Sequence, residues 1–197
     1  MKKMLFALLF TLSGFLSVFA EGEDWFIEKF SEKLINAKGK KVETSTALKG
    51  KMVAVYFSAS WCGPCRGFTP KLVDFYKSVA KKENIEIIFV SLDKEDKAMM
   101  NYMKKDKMPW LAIPFDAEER TNLQKTLRVS GIPRLIVFDS EGKMISPNAR
   151  WDVVVLGTKA VEAWKSPDYK PKTYEDANKQ SKKNGSSKSR KNKKKRK

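Results

Sequence analysis

Cys62 and Cys65 stand with two residues between them in Trp61-Cys62-Gly63-Pro64-Cys65-Arg66, in a chain of 197 residues with two cysteines and no histidine. Without histidine, no Ser-His-Asp or Cys-His hydrolase is available, nor any His-ligated metal centre. Two thiolates alone cannot complete a four-thiolate zinc site, so no metal is expected. Redox chemistry, a structural bridge or inert burial remain. A bridge closing so short a loop adds little stability by the chain-entropy argument. Thiol–disulfide exchange is therefore the chemistry expected of this pair, and it implies no cofactor.

That chemistry needs a particular setting. Met52 to Ser58 is a short apolar run bounded by turn signals, which predicts a buried strand. Phe68, Leu72, Phe75, Tyr76 and Val79 recur at spacings of three and four, which predicts a helix immediately after the cysteines. Pro70 lies inside that pattern and is expected to kink its first turns. Cys62 then falls at the helix N-terminus, where unpaired N–H groups and the macrodipole favour an anion. The thiolate is the nucleophile, so Cys62 is expected to attack. Cys65, one turn further in, would resolve the mixed disulfide. Pro64 sits in the first turn, where its missing N–H costs little, and Arg66 adds positive charge.

The remaining pattern alternates. Trp25 to Ile35 suggests a short helix or turn feeding a strand, and Asn36 to Lys41 a turn. Ile85 to Ser91 reads as a second buried strand. Asp93 to Lys107 reads as a helix with Met99, Met100 and Met103 on its apolar side. Asn122 to Val129 reads as a short helix and Leu135 to Phe138 as a strand. Ser140 to Lys143 reads as a hairpin turn to Met144-Ile145, and Thr158 to Trp164 as a closing helix. Strands alternating with helices imply an α/β domain with helices on both faces of a central sheet, over residues 24–166.

Trp61-Cys62-Gly63-Pro64-Cys65 is the active-site motif of thioredoxins. The wider pattern resembles the tryparedoxin and nucleoredoxin branch of that superfamily. Tyr56-Phe57-Ser58-Ala59-Ser60-Trp61-Cys62, Arg66-Gly67-Phe68-Thr69-Pro70, Phe75-Tyr76, Met108-Pro109-Trp110, Ile113-Pro114-Phe115 and Gly131-Ile132-Pro133 occur in the right order over residues 33–146. The resemblance implies a thioredoxin-like fold with a mixed sheet. It also implies that Pro133 is the superfamily's cis-proline, facing the cysteines, and that Ile132 offers backbone hydrogen bonds to an extended substrate. Trp61, Trp110 and the Ile132–Pro133 turn would frame a shallow substrate groove. The chain departs from thioredoxin at Tyr56, where that family has a buried Asp handling the proton of the resolving thiol. It departs from its own branch at Gly63, where a second proline is usual, and at Arg134, often Thr. Arg134 either favours acidic partners or is a solvated charge.

The two ends read differently from the body. Lys2 and Lys3, the apolar run Met4 to Phe19 and the junction Val18-Phe19-Ala20 fit a signal peptide over residues 1–20, cleaved after Ala20. An exported, periplasmic or secreted protein is expected on that basis. Residues 179–197 hold eleven Lys or Arg and no acid, whereas the body is only mildly basic. From 167 to 197 the chain lacks the apolar surface to offset ordering entropy, so a disordered tail is expected. An anionic membrane or envelope polymer would attract it. The export reading argues against a nucleic-acid partner.

Three functions compete. A reductase would pass electrons from Cys62–Cys65 to protein disulfides and be recharged by a membrane-embedded thiol donor. The same pair could run in reverse as a disulfide donor or isomerase, given an oxidising compartment. A binding module would use the tail as a tether to an anionic surface, with redox activity incidental.

Overall fold

The computed structural model describes residues 20–183, with side chains from residue 25. The run Met4 to Phe19 and the Lys-rich residues 184–197 lie outside the described residues. The chain order is α1 (Ala20–Phe30), β1 (Lys33–Ile35), β2 (Lys41–Glu43), α2 (Thr44–Leu48), β3 (Met52–Ser58), α3 (Gly63–Glu83), β4 (Ile85–Ser91), α4 (Asp96–Lys105), β5 (Leu111–Ala112), α5 (Glu118–Thr126), β6 (Arg134–Phe138), β7 (Met144–Ser146), α6 (Arg150–Leu156) and α7 (Ala160–Trp164). A further helix, α8, covers residues 174–183.

The strands form one mixed sheet in the order β2-β1-β5-β4-β3-β6-β7. β3 and β4 are parallel, with Ser58 opposite Ser91, and β3 and β6 are antiparallel, with Phe57 opposite Arg134. Both central strands are buried along their whole length, because helices cover both faces. Side chains alternate between those faces, as the two-residue period of a strand requires. Ala54 and Tyr56 join a core with Leu72 of α3, Met99 and Met103 of α4, Val153 of α6 and Trp164 of α7. Val53, Val55 and Phe57 join the opposite core with Phe26 and Phe30 of α1, Leu48 of α2 and Leu123 of α5. This is the thioredoxin-like α/β architecture, with a mixed sheet and helices on both faces.

α3 runs from Gly63 to Glu83 through Pro70 and ends at Asn84 in the left-handed region, φ 51°. Asn84 also donates its side-chain amide to the Gly50 carbonyl, which ties the helix end to the turn before β3.

The C-terminal segment departs from the sequence expectation of disorder from residue 167. Tyr169 donates a hydroxyl hydrogen bond to Asp152 at 2.6 Å, and the Lys172 N–H donates to the same carboxylate at 2.7 Å. Ala177 is buried and Tyr174 packs on Trp151, with the rings tilted at 57° and their centroids 5.3 Å apart. Asp152 is fully buried and also accepts from Trp164 Nε1 at 3.0 Å and Ser146 Oγ at 3.3 Å. Residues 167–177 therefore form a strap over α6 that a polar composition conceals. A buried carboxylate needs its hydrogen bonds, and the strap supplies two of them.

Candidate active site

The site is built where the C-terminal ends of β3 and β4 meet the N-terminus of α3. Cys62 is the N-cap of α3, and its Sγ accepts the Cys65 N–H at 3.2 Å. Cys62 and Cys65 are joined by a disulfide, with Cα atoms 5.2 Å apart. Cys62 is 6% exposed and Cys65 fully buried, and the pair packs with Ala59 against Leu92 and Ile132. The outer sulfur is thus the one a partner reaches first, and the inner sulfur is sealed beneath it.

Around the pair, Trp61 is 61% exposed, so it is a surface residue beside the disulfide and not core filling. Its Nε1 donates to the Leu92 carbonyl at 3.3 Å. Pro64 lies in the first turn of α3, and a Cβ at Gly63 would meet nothing within 4 Å. Arg66 is exposed and makes no ion pair among the described residues. The Ile132–Pro133 peptide bond is cis. The Ile132 carbonyl oxygen lies 3.7 Å from Cys62 Sγ, so this loop and the disulfide are neighbours in space.

Tyr56 is fully buried on the core side of β3. Its hydroxyl is 2.8 Å from Thr69 Oγ1, which is itself 2.6 Å from the Tyr102 hydroxyl and donates to the Cys65 carbonyl at 2.9 Å. Ser58 Oγ completes the group, 3.1 Å from the Tyr102 hydroxyl. Burial, then the neighbouring Tyr102, pushes the Tyr56 phenol well above its ordinary value, so it stays neutral. Where thioredoxin has a carboxylate, this chain packs neutral hydroxyls behind Cys65.

Trp110 corrects the expected groove. It is 1% exposed and packs its ring edge-on to Tyr56 and Tyr76, at 6.2 and 5.7 Å between centroids. A side chain sealed into the α3 side of the core cannot line a surface groove. Trp61 and Ile132–Pro133 remain at the disulfide, and Trp110 does not.

The structure adds residues that the sequence reading missed. Asp93, 3% exposed just beyond β4, accepts the Ser60 N–H at 3.0 Å, the Ser60 hydroxyl at 2.7 Å and the Ser91 hydroxyl at 2.8 Å. It thereby pins the loop that leads into Trp61 and Cys62. Arg120 of α5 donates to the Ser91 and Phe115 carbonyls beside it. Burial lowers the Arg120 guanidinium and the Asp93 charge opposes that fall. The signal was available in the parallel pairing of β3 and β4, since residues just past two adjacent parallel strands share one edge of the sheet. On the other side, Arg150 Nη1 donates to the Pro133 carbonyl at 3.4 Å. Its guanidinium lies 4.0 Å from the centroid of the Trp151 ring. Burial, then the nearby Arg134, lowers the Arg150 guanidinium. Arg134 donates to the Pro147 carbonyl at 3.3 Å. Arg150 lies on α6, a helix absent from the sequence reading.

Comparison with known proteins agrees with this geometry. Residues 50–144 match the family model described as Thioredoxin-like. The chain is 40% identical over 131 residues to tryparedoxin of Trypanosoma brucei brucei, covering 65% of this chain and 90% of the relative. It is 38% identical over 138 residues to human nucleoredoxin, covering 69% of this chain and 31% of that protein. Native tryparedoxin I from Crithidia fasciculata superposes with a TM-score of 0.63 at 37% identity, covering 77% of this chain and 99% of that structure. The chain spans only a fifth to a third of the nucleoredoxins that it matches.

These relatives overturn one expectation. Nucleoredoxins and tryparedoxins are cytosolic or nuclear proteins, so the reading of an exported, periplasmic or secreted protein cleaved after Ala20 is withdrawn. The sheet, the Cys62–Cys65 disulfide at the mouth of α3 and a tryparedoxin matched over nine-tenths of its length place the chain in the thioredoxin-like family, as a redox protein of the nucleoredoxin and tryparedoxin kind.

Proposed function

We propose that the chain is a reductase of protein disulfides that cycles through Cys62 and Cys65. In the reduced form the Cys62 thiolate attacks one sulfur of a client disulfide, and the other client sulfur leaves as a thiolate and takes up a proton. Cys65 then loses its proton and attacks the Cys62 sulfur of the mixed disulfide. The second client sulfur leaves, and two electrons have passed from the pair to the client. The Cys62–Cys65 disulfide seen here is the oxidised end of that cycle.

One observation carries the assignment of roles: the sulfur of Cys62 caps α3 and accepts the Cys65 N–H, while Cys65 is sealed below. An N-cap sulfur beside unpaired amides is favoured as an anion. The exposed Trp61 and the Ile132–Pro133 loop supply the surface on which an extended client strand would lie, and Gly63, Pro64 and Arg66 shape and charge the helix mouth. A thiol donor must reduce the pair after each turnover. Its placement in a membrane followed from export alone and is given up with it, as is that ground for setting nucleic acid aside. Disulfide donation in reverse rested on an oxidising compartment and loses the same support. Contact of the basic tail with an anionic surface is a separate question, answered by truncation before Lys179.

The test is insulin reduction by the purified chain, together with the equilibrium potential of the pair. A reductase gives steady turnover and a potential near about −270 mV. Cys62→Ser abolishes turnover, and Cys65→Ser leaves a stable mixed disulfide with the client. A potential some 100 mV higher, towards the strongly oxidising members of the superfamily, or turnover that survives Cys62→Ser, would sink the reading.

A further inference from the structure

The strap over α6 ends in a stack that reaches the active site, through residues beyond the span matched by the family model. Three consecutive residues of α6 link them. Asp152 receives Tyr169 and the Lys172 N–H from the strap. Trp151 receives the Tyr174 ring at 5.3 Å between centroids. Arg150 lies against the Trp151 ring and donates to the Pro133 carbonyl. Ile132, joined to Pro133 by the cis bond, has its carbonyl oxygen 3.7 Å from Cys62 Sγ.

The strap is also independently fixed, so it can act as a support. Thr173 and Asp176 cap α8 reciprocally: the Thr173 N–H donates to the Asp176 carboxylate at 3.0 Å, and the Asp176 N–H donates to Thr173 Oγ1 at 3.3 Å. The Thr173 N–H and hydroxyl hold the Asp176 carboxyl below its ordinary value. This cap sets Tyr174 as the first residue of α8, beside Trp151. Tyr174 is 59% exposed, so its ring stands at the protein surface and adds little to the core. An exposed ring held on a neighbouring ring by a capped helix is suited to restraining that neighbour. Trp151 in turn limits the positions open to the Arg150 guanidinium, which carries a five-donor planar fork with strict geometry.

We propose that the C-terminal strap, through Tyr174 on Trp151 and Trp151 on Arg150, positions the Ile132–Pro133 loop for the client strand. Tyr174, Trp151 and Arg150 are positioning residues: they act on the loop, and the loop meets the client. The proposal rests on the reading that this loop receives a protein disulfide. It requires no new chemistry, because Cys62 and Cys65 keep every electron and proton they exchange. It predicts that losing the strap contact loosens binding and leaves the disulfide itself unchanged.

The test uses the full chain with Tyr174→Ala and Tyr174→Phe, assayed on insulin and on a small aromatic disulfide that does not need an extended binding strand. With the ring removed, KM for insulin rises about two- to ten-fold, the range expected for one aromatic contact. The kcat, the potential of the pair and the rate with the small disulfide stay within about two-fold, and Tyr174→Phe behaves as the parent because the ring is kept. Amide exchange at Gly131, Ile132 and Arg134 rises in Tyr174→Ala, a reading that needs no turnover. Unchanged KM with unchanged exchange overturns the proposal. So does a loss that appears equally with the small disulfide or follows a lowered Tm, because that marks general unfolding. If the parent chain does not reduce insulin, the functional reading fails instead, and the exchange measurement alone still decides whether the strap restrains the loop.

Discussion

Two loops face the same disulfide and are held by different means. The loop before Cys62 is secured from below, where the buried Asp93 carboxylate takes two hydrogen bonds from Ser60 and one from Ser91. Ser91 ends β4 and Ser60 lies two residues past β3, both inside the span that matches the family model. The loop before β6 is secured from the side by Arg150, which belongs to α6 and leans on a ring stack closed by the strap. All three of its supports lie beyond residue 144, where the family match ends. Cys62 is therefore placed by a buried network that is costly to alter, and the Ile132–Pro133 loop by contacts nearer the surface that are cheap to alter. On the proposed function, chemistry and recognition could then vary separately within one site.

The largest effect in this comparison is expected at Asp93. Asp93→Ala leaves the Ser60 N–H without its partner and the half-buried Arg120 without its neighbouring charge, which costs about 3 kcal/mol. Urea unfolding of the oxidised protein measures it. A loss below about 1 kcal/mol would mean that the carboxylate does not anchor the loop. Asp152→Ala is expected to cost somewhat less, about 2 kcal/mol, because it strands Trp164 Nε1 and the Lys172 N–H but also removes a buried charge. Hydrogen exchange should rise over residues 167–177 and stay unchanged at Ser60 and Trp61. Equal loosening of the strap and of the loop before Cys62 would erase the distinction between the two supports.

The smallest effect is expected at Glu86, which serves neither loop. It is buried on β4, accepts the Tyr76 hydroxyl at 2.8 Å and faces Lys51 at 3.6 Å. Burial raises its carboxyl above the ordinary range, against the Tyr76 hydrogen bond and the Lys51 charge. The folded state thus holds this proton more tightly than the unfolded chain does. Its contribution is most favourable at low pH, and stability falls as pH rises from the unfolded carboxylate value of about 4.3 towards the raised folded one. Glu86→Gln keeps the Tyr76 bond, removes that pH dependence and adds up to about 1 kcal/mol at pH 7. Thermal melts from pH 4 to pH 8, on scale with the ordinary carboxylate range, would expose a wrong sign as a steeper slope.

Much of this was legible before the fold was seen. The run Met52 to Ser58, the cysteine spacing and the apolar stripe from Phe68 to Val79 placed the strand, the site and the helix, since a short apolar run bounded by turn signals, a C-x-x-C and a three-and-four spacing follow one another in the order that this site needs. Trp110 was misplaced because an indole suits both a groove and a core, and only its packing on Tyr56 and Tyr76 distinguishes them. Asp93 was overlooked because the sequence reading made it the first residue of a helix, which begins only at Asp96, and its partner Ser60 becomes visible only once the strands are paired. The strap was read as disordered because a lysine-rich composition outweighed Thr173-Tyr174-Glu175-Asp176, a capping-box spacing that announces a helix start.

The sheet closes on each side with a strand of only three residues, β2 and β7. So short an edge offers few free N–H and C=O groups for a foreign strand to pair with, and exposed Lys41 and Glu43 put charge on one of them. On the proposed function, client strands brought to one end of the sheet would thereby find little unpaired edge at either side on which to accumulate.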